Sequence, residues 1–277
     1  MRSRTDACLM ALALSAALCG CERTLRAPER LVKGDAPAVS RDGRRLAFQS
    51  ARGGQMRLGL LDLASRHVTW LVDGETENAC HPAWGRDGSL VYAYANITNT
   101  AYQRFCVKGG PQDGYGLRIW KDGATRELTH GLWRDYMPSF SPDGKWVYFT
   151  TTRWATKYAG GSRMSSQIAR ISFGAEREPE LVIESPSGND SGAVQASVSP
   201  DGTKIVWGSL EAFWRSWRIC GAKMSDPAGR CFVTPSMMIA LAPRWHPDGT
   251  LICFTGYQVG DPGWCVYAGD VRRGAFA

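Results

Sequence analysis

Histidine is scarce in this sequence: His67, His81, His130 and His246 are the four in a chain of 277 residues. Four scattered imidazoles do not make a three-histidine metal site, and His81 and His130 with one carboxylate is the nearest alternative. No C-x-x-C occurs, which argues against zinc. Also missing are the G-x-S-x-G elbow, the H-E-x-x-H helix and a glycine-rich phosphate loop, so no catalytic residue, metal or cofactor is implied. Beyond the N-terminus no segment approaches transmembrane length, and no apolar helical pattern lasts more than a few turns. Glycine (31 residues) and tryptophan (11) are plentiful, and 14 prolines are scattered along the chain. That balance favours an all-β fold, and the length suffices to bury a core without disulfides or a metal.

The first twenty-one residues stand apart. Arg2 and Arg4 give a basic start, and Ala7 to Leu18 form an apolar run of about a dozen residues, too short to span a bilayer. This reads as an export signal. Its end, Leu18-Cys19-Gly20-Cys21, resembles a bacterial lipobox, which implies that Cys21 receives the lipid. Glu22 behind it then favours the outer membrane. Ordinary signal cleavage, leaving a soluble periplasmic protein, is the alternative. The expected organisation is a signal over 1–20, a short tether over 21–27 and one folded domain over 28–277.

With Cys8 and Cys19 lost in the signal and Cys21 lipidated, six cysteines remain: Cys80, Cys106, Cys220, Cys231, Cys253 and Cys265. An even number in an exported chain allows up to three disulfides. The simplest pairing is 80–106, 220–231 and 253–265. The formal charge is +7. In the envelope a modestly basic chain points to an acidic protein partner or an anionic glycan rather than nucleic acid, with a dispersed solubility charge as the plainer reading.

One short phrase recurs. Asp-Gly falls in the same apolar frame at Asp42-Gly43, Asp87-Gly88, Asp143-Gly144, Asp201-Gly202 and Asp248-Gly249, at intervals of 45, 56, 58 and 47 residues. In "MPSFSPDGKWVYFT", Pro pre-sets a corner, Asp accepts backbone hydrogen bonds and Gly takes the positive φ that closes a hairpin between strands A and B. That duty accounts for all five aspartates, although a ring of carboxylates also invites acid/base chemistry or calcium. Third and fourth strands, C and D, follow each hairpin. The last copy lacks a D, while "PERLVKGDAP" at 28–37 precedes the first A. Five four-stranded antiparallel blades, the last completed by this N-terminal strand, make a single five-bladed β-propeller.

The frame x-P-x-[WF]-S-P-D-G-x-x-[IVL]-x-F, followed by "QIARI" and "ELT", resembles the TolB-type, WD-like propeller repeat of bacterial envelope proteins. The resemblance covers essentially the whole mature chain. It is strong in copies three to five and weaker in the first two, where Arg41 and Arg86 replace the proline. The expected role is a non-catalytic, monomeric binding module, and the resemblance implies, as another possibility, an assembly role in an envelope complex.

In such blades the A–B and C–D turns share one end of the ring, and the B–C and D–A connections share the other. The long insertions fall at the latter and mix aromatic with basic residues: Tyr102, Arg104 and Phe105; Arg153, Trp154, Lys157 and Tyr158; Phe213, Trp214 and Arg215. Aromatic faces with directed guanidinium donors suit a protein hot spot or an anionic sugar. The D–A segment adds Arg134, Asp135 and Tyr136. Loop aromatics that fold back as lids are the competing reading. The rival function is a carbohydrate-active enzyme, a glycoside hydrolase or polysaccharide lyase, with two carboxylates among Glu75, Glu77, Asp135 and Asp190 converging on the axial pocket.

Overall fold

The computed structural model describes residues 31–52, 55–72, 77–96, 115–130, 133–154, 165–174, 177–185, 192–211 and 216–271. Among them are nineteen β-strands and no helix. The first sheet is β1 (Asp35–Val39), β2 (Arg45–Arg52), β3 (Gln55–Asp62) and β4 (Val68–Val72). The second is β5 (Glu77–Trp84), β6 (Leu90–Asn96), β7 (Gly116–Lys121) and β8 (Ala124–Thr129). The third is β9 (Tyr136–Phe140), β10 (Trp146–Thr151), β11 (Gln167–Ser172) and β12 (Glu180–Ile183). The fourth is β13 (Gly192–Val198), β14 (Lys204–Glu211), β15 (Ser216–Lys223) and β16 (Asp226–Phe232). The fifth has β17 (Ile239–Trp245), β18 (Leu251–Tyr257) and β19 (Cys265–Asp270). All pairings are antiparallel meanders, and the first strands β1, β5, β9, β13 and β17 pack in succession along the inside. This is a five-bladed β-propeller.

Each turn is built as its residues dictate. In the first copy the Ser40 hydroxyl donates to Asp42 Oδ1 (2.6 Å), Arg44 N–H donates to the same oxygen (3.1 Å), and Ser40 Oγ accepts from Arg45 N–H (2.9 Å). The third and fourth copies repeat these bonds through Ser141 and Ser199. In the fifth, His246 takes the serine's place beside Asp248, 2.9 Å away. All five turn glycines have φ between 69° and 80°, a conformation open to glycine at little cost.

The inner strands hold a feature the sequence pattern does not announce. Six residues before each turn aspartate stands a non-glycine residue with positive φ: Ala36 (45°), His81 (53°), Met137 (53°), Gln195 (58°) and Ala242 (55°). The A–B register slips at each of these places, which marks a β-bulge in every blade. Three bulge amides are held by a neighbouring strand or blade: His81 N–H by Gln49 Oε1 (2.9 Å), Gln195 N–H by Thr150 Oγ1 (3.1 Å) and Ala242 N–H by Gln195 Oε1 (2.9 Å). The tryptophan of the frame has a similar task. Trp84 Nε1 donates to Ala38 O (2.9 Å) and Trp245 Nε1 to Ser197 O (3.1 Å), each reaching the blade before it.

The core lies between blades. Apolar clusters join the first sheet to the second around Leu58 and Tyr92, the second to the third around Val91 and Phe149, the third to the fourth around Ile168 and Trp207, and the fourth to the fifth around Ile219 and Ile252. No such cluster joins the fifth sheet to the first among the described residues. Its free face, Cys253, Tyr257, Val266 and Ala268, is exposed, Val266 by 80 %.

Two expectations need correction. Asp35–Val39 pairs with β2 as an inner strand, so the closing strand expected over 28–37 cannot include Asp35 to Pro37. Leu31 to Gly34 form no strand, 28–30 lie outside the described residues, and the fifth sheet shows three strands. Two of the three within-blade disulfides fail on parity. Cys231 faces Gly221 across the ladder, which turns it away from Cys220, and Cys265 faces Gly256, which turns it away from Cys253. Cys106, the expected partner of Cys80, lies outside the described residues.

Candidate functional site

At the end of the ring opposite the Asp-Gly turns, the chain enters β9 through Arg134 and Asp135 and leaves β10 through Thr152, Arg153 and Trp154. Two backbone links bind this corner to the second blade: Asp135 N–H donates to Tyr115 O (3.0 Å), and Arg134 and Tyr115 form a parallel bridge. The Asp135 side chain is fully buried. It accepts from Thr151 Oγ1 (2.6 Å) and from Arg153 Nη2 (2.6 Å). Burial pushes its carboxyl pKa up, against the pull of Arg153, Thr151 and Thr129. Arg153 is thereby turned inward as an anchor, and Trp154, next in the chain, remains 41 % exposed.

Nearer the middle of the ring, the His81 imidazole is half-buried, 6.2 Å from the Tyr136 ring. Burial, reinforced by the charge of Arg244, lowers its pKa to about 4, so it is neutral at pH 7. Arg244 reaches solvent although protein crowds it, and that crowding lowers its own pKa. Its guanidinium donates to Pro243 O (2.9 Å) and meets no carboxylate among the described residues. Sequence reasoning passed over Arg244. Its signal lies in the repeat, where the same frame position holds Ala38, Ala83, Ser139 and Ser197 in the other copies.

Other sequence-derived candidates disperse. Glu77 pairs with Arg118. His130 pairs with Glu127 (3.1 Å) at the surface. No three metal-ligating side chains converge among the described residues. Tyr102, Arg104, Phe105, Lys157, Tyr158, Phe213, Trp214, Arg215, Glu75, Asp190 and Cys21 lie outside the described residues. The turn aspartates are saturated locally: hydrogen bonds from Ser199 and Thr203 lower Asp201 to about 2, and those from Thr250 lower Asp248 to about 2. A ligand or proton-transfer role at these carboxylates would have to displace such bonds.

The described clefts lie at the turn end. One of about 370 Å³ separates the first two turns and is lined by Ser40, Arg41, Asp42, Arg45, Trp84 and Arg86, with Gly85 and Gly88. Another, of about 460 Å³, lies between the third and fourth turns, and Arg86 lines it too.

No family model matches the chain. A TolB homologue of Chlorobium luteolum is 30 % identical over 119 residues, 43 % of this chain and 24 % of that protein. The chain thus spans about a quarter of that relative's length. Among solved structures, TolB of Acinetobacter baumannii superposes with a TM-score of 0.64 at 17 % identity, over 88 % of this chain and 54 % of that one. An oligogalacturonate lyase of Vibrio parahaemolyticus gives 0.52 at 11 % identity, over 88 % and 80 %. With its five antiparallel sheets and its Asp-Gly repeat, the chain has a five-bladed β-propeller fold similar to that of TolB.

Proposed function

We propose that this propeller is a non-catalytic binding module of the bacterial envelope, periplasmic, held to the outer membrane by a lipid on Cys21, and presenting its loop end to an envelope protein or an anionic glycan. The observation that carries this reading is the corner at Trp154. An exposed indole follows directly on an arginine locked to a buried carboxylate, so a large apolar surface is offered from a rigid base, as binding hot spots are. The B–C insertions that flank it in sequence supply further aromatic and basic residues. A photo-crosslinking amino acid placed at position 154, with a second at Arg177 as reference, tests the reading in the intact envelope. Adducts formed from 154 and lost when Arg153 is also changed to Ala support it. Adducts from neither position, or equally from both, overturn it. Mass spectrometry of the mature N-terminus tests the anchor, since an unacylated Cys21 or another start excludes it.

A second reading rests on the likeness to the oligogalacturonate lyase and on the neutral His81 imidazole near the cationic Arg244. A base beside an arginine suits proton abstraction next to a carboxylate, the chemistry of a polysaccharide lyase. Incubation with oligogalacturonate and detection of the unsaturated product decides it, and no product from wild-type protein removes the lyase.

A further inference from the structure

The turn end carries a feature that the binding reading leaves unused. Copies three, four and five have proline before the turn aspartate, Pro142, Pro200 and Pro247, while copies one and two have Arg41 and Arg86. The ring brings these two departures to one place. Both line the cleft of about 370 Å³ between the first and second turns, together with Arg45.

Two of the three arginines are placed by packing. The Arg45 guanidinium lies 4.8 Å from the Trp84 ring centroid and 5.9 Å from that of Trp120. A guanidinium held over an indole by cation–π attraction keeps its N–H donors available. Its Nη2 comes within 3.9 Å of the position a Cβ would take on Gly88, which sets it against the second turn. Trp84 is itself held by its bond to Ala38 O. The aliphatic stem of Arg86 packs over Gly144 of the third turn, its carbons 3.8 to 4.0 Å from that glycine's Cβ position. None of the three guanidinium groups has an ion-pair partner among the described residues.

The acids nearby are already engaged. Asp42 Oδ1 accepts from Ser40 and from the Arg44 amide, and Asp87 pairs with Lys121 at 2.8 Å. Three arginines against the one aspartate in the lining leave the cleft with a net charge of +2.

We infer that this cleft is a binding site for a phosphoryl group, taken by Arg41, Arg45 and Arg86. Two net positive charges match a phosphomonoester dianion and would be only half neutralised by a single carboxylate. Arginine supplies the forked donors that phosphate oxygens accept. The cleft has room for more than the phosphoryl group itself. This site is independent of the loop-end reading, because it lies at the other end of the ring.

The repeat supplies its own control variants. Arg41→Pro and Arg86→Pro install the residue that three other copies carry at the same turn, so the fold is kept while the cations are removed. Binding of glucose 6-phosphate is measured by calorimetry at low salt, and of phosphatidic acid vesicles by co-sedimentation, on the full chain. Each single change should weaken binding about tenfold, as loss of a charge-assisted hydrogen bond does, and the double change should abolish it. Arg177→Gln with Arg230→Gln, two exposed arginines away from the cleft, should leave binding unchanged. Loss of the sugar phosphate in the double variant assigns a soluble phosphomonoester. Vesicle binding alone, lost in the same variant, assigns a lipid headgroup. No binding of either probe, equal loss in the Arg177 and Arg230 control, or galacturonate binding as tightly as glucose 6-phosphate overturns the inference.

Discussion

At the scale of single residues, charge in this protein is spent mostly on holding backbone. Asp201 and Asp248, at about 2, and Asp42 and Asp143, also lowered, are depressed chiefly by hydrogen bonds from the turn residues beside them. A depressed carboxyl stabilises the folded state above its unfolded pKa near 3.8, and that stability is lost as pH falls towards 2. His81 acts higher on the scale. Its folded pKa near 4 lies below the ordinary 6.5, so the unfolded chain binds its proton first and stability falls as pH drops from 6.5 to 4. The slope from one such group reaches about 1.4 kcal/mol per pH unit. Urea midpoints taken from pH 7 to pH 2 should therefore show two successive declines. His81→Asn, which tolerates the positive φ, should flatten the upper one and leave the lower, and an unchanged upper slope would refute the assignment. Asp135 makes the stronger claim. Its removal strands the largely buried Arg153 without its carboxylate, and Asp135→Ala should cost about 3 to 5 kcal/mol by urea unfolding. Asp135→Ala with Arg153→Met should recover a good part of that. If the single change costs less than about 1 kcal/mol, the corner under Trp154 is not the rigid base described here.

At the scale of the element, the hairpin and the bulge differ in how they are written. The hairpin is legible because its bonds are local: serine, aspartate and glycine within five residues satisfy one another, and the blade count follows from counting them. The bulge is not legible. Its positive φ falls on alanine, methionine and glutamine, residues with no preference for that region, as well as on histidine, and at Gln195 and Ala242 the strain is offset by a side chain from the preceding blade. For the same reason the Asp135–Arg153 pair, eighteen positions apart, and the convergence of Arg41 with Arg86 need the ring before they can be seen. The disulfide expectation fails at this scale too, since strand parity, invisible until register is known, turns Cys220 from Cys231 and Cys253 from Cys265. Bulge strain predicts an inversion of the usual glycine penalty. Ala242→Gly should be neutral or stabilising by up to about 1 kcal/mol, because the left-handed region costs an alanine about that much. Ala240→Gly, two residues earlier in the same strand and fully buried, should cost about 1 kcal/mol or more. Equal penalties at the two positions, measured by thermal unfolding, would show that the bulge residue is not strained.

At the scale of the whole molecule, stability runs from blade to blade. Each of four seams holds an apolar cluster, and one residue, Gln195, links three blades, its backbone N–H donating to Thr150 Oγ1 and its side-chain Oε1 accepting from Ala242 N–H. The fifth sheet takes part through one face only. Ile252 and Phe254 pack on the fourth sheet around Val206 and Ile219, whereas Cys253, Tyr257, Val266 and Ala268, on the alternate positions of the same ladder, face outward. An antiparallel sheet buried on one side only should respond to truncation by face and not by residue type. Ile252→Ala removes a fully buried side chain and should lower stability by about 2 to 5 kcal/mol. Val266→Ala, at 80 % exposure, should change it by no more than about 0.5 kcal/mol. Two urea titrations on otherwise identical protein suffice. If Val266→Ala costs as much as a buried valine, about 1 kcal/mol or more, then the outer face of the fifth sheet is covered in solution, and the ring is closed there by packing of the kind found at its other four seams.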